Sequence, residues 1–133
     1  MNKILVAYDG GEPSRRALET AAELAGALGA MVSVVSVVPA RAGRAPMDPW
    51  DDSSIHASQL LEAKKILLER GIEPELIEPV GDPAKTIERI ADEGGFDTIV
   101  LGSRGLGTVE RVLQGSVSEH VATHSGATVV IAH

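Results

Sequence analysis

The chain has 133 residues, 44% of them hydrophobic and 23% charged, a balance that suits one soluble domain with a single core and is too apolar for general disorder. A net charge of -7 and an aromatic content of only 2% argue against nucleic acid as a partner, since that affinity needs phosphate neutralisation and, for single strands, stacking surfaces. The absence of cysteine excludes disulfides, thiolate metal sites and thiol catalysis.

Met1-Asn2-Lys3-Ile4 leads directly into a β-type run, Ile4 to Tyr8, without a signal-peptide layout, and no apolar run is long enough to span a bilayer. The chain is therefore expected to be cytoplasmic, with no membrane partner. Asp9-Gly10-Gly11 follows the first strand. A helix is expected from about Pro13, with Ala17, Ala21, Leu24, Ala25 and Leu28 at helical spacing up to Gly29. The second strand is read at Val32 to Val38. Pro39 to Asp52 has no periodicity and is rich in Pro, Gly and Arg, which reads as a long loop and a candidate lid.

A second helix carries Leu60, Leu61, Leu67 and Leu68 and stops at Gly71, followed by a strand over Glu75 to Pro79. Asp82 as N-cap and Pro83 as first residue open a third helix that Gly94-Gly95 closes. Thr98 to Leu101 is the fourth strand, a fourth helix opens near Ser116 with Glu119 at capping-box spacing, and Thr128 to Ala132 is the fifth strand. Five strands alternating with four helices predict an α/β fold, an open parallel sheet with helices on both faces, in a single domain over residues 1–133.

In such sheets ligands bind beyond the carboxyl ends of strands, where strand order reverses. Asp9-Gly10-Gly11 and Gly102-Ser103-Arg104-Gly105 follow the first and fourth strands, and face one ligand if those strands are neighbours. Gly115-Ser116-Val117-Ser118 enters the fourth helix, whose unpaired N–H groups and dipole favour an anion such as phosphate. Each feature also has a plain structural reading, since strand-to-helix turns use Gly and a Ser at a helix start commonly caps it.

Taken together, Gly102, Gly105, Gly115 and Ser116 at Gly-x2-Gly-x9-Gly-Ser spacing, with ILVAYDG, GDPA, DTIVLGSRGLG and GSVSEHV, resemble the ATP-binding members of the universal stress protein family over nearly the whole chain. The resemblance implies a Rossmann-like sheet of order 3-2-1-4-5 that binds adenine nucleotide. It implies that Ala7, Tyr8 and Asp9 meet the nucleoside end and that Val37 contacts adenine. Gly102, Arg104, Gly105, Gly115, Ser116, Val117 and Ser118 would hold ribose and phosphates. It further implies a homodimer through the edge strand Thr128 to Ala132. Gly11 stands where a Ser is common in the family, and the sequence closes at His133 without the basic tail many relatives show.

A P-loop is excluded, because Lys3, Lys64, Lys65 and Lys85 are the only lysines and none has the required setting. Asp9 is a candidate for contact with a nucleotide-bound Mg²⁺, against the alternative of accepting a ribose or backbone hydrogen bond. His120 and His124 lie four apart but read as a solvated helix face, and His56 and His133 have no partner pattern. No general base is evident, so no catalytic residue is assigned. The expected function is an ATP-binding regulatory stress-response module. Its alternatives are a slow ATPase, a nucleotidyl-transferring enzyme or a nucleotide-free interaction protein, with AMP, ADP and cyclic AMP open as ligands and the downstream protein partner unidentified.

Overall fold

The computed structural model describes residues 2–38, 49–103 and 126–133, and side chains of the second helix from residue 55 onward. Its elements in chain order are β1 (Lys3–Ala7), α1 (Glu12–Leu28), β2 (Met31–Val35), α2 (Pro49–Glu69), β3 (Glu75–Ile77), α3 (Pro83–Gly94), β4 (Thr98–Gly102) and β5 (Thr128–Ala132). The expected fourth helix and residues 39–48 of the expected loop lie outside the described residues. The last four residues of that loop, Pro49 to Asp52, are instead the first turn of α2, where Pro sits without losing a needed N–H.

All pairings are parallel and the sheet order is β3-β2-β1-β4-β5, as the family resemblance implies. β1 is central, with Ile4, Leu5 and Val6 opposite Thr98, Ile99 and Val100 of β4. Side chains alternate between the faces, which divides the core in two. Ile4, Val6, Tyr8, Val32, Val34 and Val100 meet Ala17, Leu18 and Ala21 of α1 and Leu60, Ala63 and Leu67 of α2. On the opposite face Leu5, Ala7, Val35, Ile99 and Leu101 meet Ala84, Ile87 and Ala91 of α3. Each fully buried Ile, Leu or Val contributes roughly 1.5–3 kcal/mol relative to exposure, so these two layers fix which helix lies on which face.

The helix ends follow from the local sequence. The Asp82 side chain accepts the Lys85 N–H at 3.1 Å, capping α3. Gly29, at a φ of 68°, closes α1 with its N–H on the Ala25 carbonyl at 2.8 Å. At the amino ends of β1 and β4, the Asp97 carboxylate accepts the N–H of Asn2 at 2.7 Å and of Lys3 at 3.4 Å, and the Thr98 hydroxyl at 3.0 Å. These donors, the Asn2 N–H above all, hold the Asp97 carboxyl below the usual carboxylate range. Among the described residues, no helix is long and apolar enough to cross a membrane.

Candidate functional site

Because β1 and β4 are hydrogen-bonded neighbours, their carboxyl ends bring the Asp9 turn and Gly102 to the same edge of the sheet, where strand order reverses. The Asp9 turn is held from within. Asp9 Oδ1 accepts the Gly11 N–H at 2.8 Å and the Ser14 hydroxyl at 2.7 Å, while the Asp9 N–H donates to Ser14 Oγ at 3.2 Å. Gly10 has a φ of 85°, a conformation that side-chain-bearing residues rarely adopt. Gly11 is the N-cap of α1 and makes no side-chain cap, while its own N–H is taken by the Asp9 carboxylate.

Gly102 is required by packing before any ligand is considered. A Cβ there would lie 2.6 Å from the carbonyl carbon and oxygen of Pro13 and 2.9 Å from the Ser14 nitrogen, because the first turn of α1 crosses the end of β4 at contact distance. The Ser103 N–H then pairs with the Ala132 carbonyl at 2.8 Å, extending the β4–β5 ladder.

Ala7 and Val37 both pack with the apolar cluster on the α3 face. The Tyr8 side chain turns to the opposite face, where it is buried and its hydroxyl donates to Glu62 of α2. Burial first, and then the Glu62 carboxylate, push the Tyr8 phenol up to about 12. Arg15 pairs with the same carboxylate at 3.1 Å, and the Tyr8 hydroxyl and Arg15 together hold Glu62 below its ordinary range. Tyr8 thus has its backbone, not its ring, at the candidate site. Arg104, Gly105, Gly115, Ser116, Val117 and Ser118 lie outside the described residues.

Of three polar residues of α2 that the sequence reading did not assign to the site, Gln59 reaches the Asp9 turn directly and His56 reaches it through Ser36, whereas Glu62 lies with the Tyr8 ring, away from it. His56 Nδ1 is 2.5 Å from the buried Ser36 hydroxyl just past β2, Gln59 Nε2 donates to the Asp9 carbonyl at 2.7 Å, and Glu62 receives Tyr8. His56 therefore has a partner after all. The available signal was the spacing of three, 56, 59 and 62, running beside the buried Leu60, Ala63 and Leu67.

The carboxylate of Asp9 already accepts two hydrogen bonds on one oxygen, and among the described residues no group of three or more His, Asp or Glu side chains could hold a metal ion. That donor set does not make an all-protein cage for Mg²⁺; it suits an ion that arrives on phosphates and keeps much of its water.

The family model for the universal stress protein family matches residues 1–133. The chain is 33% identical over 144 residues to the universal stress protein YxiE of Bacillus subtilis, covering 98% of this chain and 97% of that protein. A universal stress protein from Archaeoglobus fulgidus, solved in complex with dAMP, superposes with a TM-score of 0.80 at 29% identity, covering 100% of this chain and 98% of that one. Another universal stress protein, solved in complex with cAMP, gives a TM-score of 0.77 at 25% identity over 99% and 97% of the two chains.

Proposed function

This chain belongs to the universal stress protein family, and from that premise we propose that it is an ATP-binding regulatory module of the stress response rather than a fast enzyme. The observation that carries the reading is the juxtaposition of the Asp9 turn with Gly102, the first glycine of the Gly102-x2-Gly105-x9-Gly115-Ser116 spacing, across the β1–β4 neighbours. The relatives solved with dAMP and cAMP support an adenine nucleotide as the ligand class.

In this reading Ala7, Tyr8 and Asp9 present backbone and carboxylate to the nucleoside end, and Val37 offers an apolar contact to adenine. Gly102, Gly105 and Gly115 let main-chain amides approach the phosphates, Ser116 and Ser118 add hydroxyl donors beside Val117, and Arg104 adds charge. Mg²⁺ would be carried by the nucleotide phosphates, with Asp9 as a carboxylate available to contact it. The module works in the cytoplasm as a homodimer joined through β5. Without a positioned base, hydrolysis stays far below the ordinary enzyme range of about 1 to 1,000 per second.

The bound nucleotides of the two relatives favour a second reading, a monophosphate sensor. Calorimetric titration with ATP, AMP and cyclic AMP separates the two. ATP is expected to bind most tightly, and Gly115→Val and Ser116→Glu each to weaken it by about tenfold or more with circular dichroism unchanged. Unchanged ATP affinity in both variants would remove the glycine motif from the argument, and tighter binding of a monophosphate would establish the second reading. Multiple turnovers per second in contaminant-free protein would make the chain an ATPase.

A further inference from the structure

Asp9 is gripped from two helices at once. From α1, Ser14 takes the Asp9 N–H and donates to its carboxylate; from α2, Gln59 donates to the Asp9 carbonyl at 2.7 Å. The Gln59 side chain also lies over Gly10, where a Cβ would sit 3.4 Å from Nε2 and 3.5 Å from Cγ. Its other amide atom, Oε1, is 3.4 Å from the Ser36 hydroxyl, which His56 contacts from one turn earlier on the same helix. Docking of α2 does not depend on these polar groups, because Leu60, Ala63 and Leu67 already bury its apolar stripe.

Glycine after Asp9 makes the Asp9–Gly10 peptide plane the loosest joint of the loop, since a residue tolerant of either sign of φ allows that plane to flip. The bond from Gln59 selects one orientation. In a planar trans peptide the N–H points opposite to the carbonyl, so drawing the Asp9 carbonyl towards α2 turns the Gly10 N–H away from α2. Among the described residues no acceptor takes that N–H.

We propose that Gln59 is a positioning residue for the nucleotide site: by holding the Asp9 carbonyl it presents the Gly10 N–H as a donor to the ligand, with His56 and Ser36 bracing the amide from behind. The proposal rests on the adenine-nucleotide reading above and adds to it a specific donor and the helix that orients it. A purely structural role for the stripe would make every member equivalent for binding, whereas here Gln59 touches the loop and Glu62 touches Tyr8 and Arg15.

The test compares Gln59→Glu, which keeps the shape and removes the donor, and Gln59→Ala with Glu62→Gln, each titrated with ATP and AMP and each melted without ligand. Both Gln59 variants are expected to lose about tenfold in affinity for whichever nucleotide the wild type binds, and Glu62→Gln to stay within about twofold while lowering the melting temperature at least as much. A shift of the Gly10 amide resonance towards its random-coil position in ligand-free Gln59→Ala supports the proposal. Affinity unchanged in the Gln59 variants, or lost equally in Glu62→Gln, overturns it while leaving the nucleotide reading intact. A wild type that binds neither nucleotide overturns that reading, and the positioning role with it.

Discussion

Tyr8 is the chain's single tyrosine, so its ionisation can be followed alone by the near-ultraviolet absorbance of tyrosinate. Its phenol is raised in the fold to about 12 by burial and by Glu62. The folded state therefore keeps a proton that the unfolded chain releases near about 10, and stability supported by this group is present below that pH and lost as pH rises towards 12. Titration is expected to show ionisation displaced upwards, and Tyr8→Phe to flatten the alkaline fall in stability; an ordinary tyrosine titration would mean that neither the burial of the phenol nor its Glu62 contact persists in solution. Sequence reading placed Tyr8 at the nucleoside end but not its direction, because strand alternation assigns a face only once the helices on each face are known. Asp9 was legible as a loop acid at a strand end. Its grip by Ser14 and Gln59 was not, since the second partner comes from a helix whose phase relative to the loop depends on tertiary packing.

At the scale of elements, five strands and three helices fall where periodicity and caps indicated, and Asp82, Gly29 and Gly95 act as the helix boundaries that the sequence marked. The miss was the start of α2. PWDD lacks apolar periodicity and so reads as loop, yet Pro at the first turn followed by two acids is a helix-start pattern that outweighs it. The ends of β2 and β3 are also shorter than expected. Beyond Val35 the ladder is interrupted: Ser36 N–H reaches Ile77, but Pro79 has no N–H to return, and pairing resumes only as the isolated Val38–Val80 bridge, where Val38 N–H reaches the Pro79 carbonyl and Gly81 N–H the Val38 carbonyl. The sequence reading took Gly102 as a glycine of a ligand loop, and its contact with α1 was not legible. The two roles give different outcomes in the ligand-free protein. Gly102→Ala is expected to destabilise the ligand-free protein by about 1–3 kcal/mol through the clash with Pro13, read from urea unfolding. A glycine needed only for ligand approach would give no loss.

For the whole molecule, the two sheet edges differ. β3 is three residues long, begins with Glu75 and is followed by Glu78 and Pro79, which blunt pairing with another chain. β5 pairs with β4 on one side, and Val129, Val130 and Ile131 are only partly buried, with no charge or proline among them. We propose that a second copy covers this edge across a twofold axis, a contact that needs one self-complementary strand. Light scattering is expected to give a dimer for the wild type, and Val130→Pro a monomer or insoluble protein. A soluble wild-type monomer at high concentration would rule the dimer out.

The place of β1 at the centre of the sheet carries a cost in time during synthesis. Asp97, which anchors the Lys3 backbone and precedes the strand that pairs with β1, lies 94 residues downstream. At a ribosomal pace of about 5–20 residues per second, one flank of an almost wholly apolar strand waits roughly 5–20 s for its neighbour. For that interval the nascent chain offers an open β edge, a natural target for holding chaperones and a route to aggregation when translation stalls between β2 and β4.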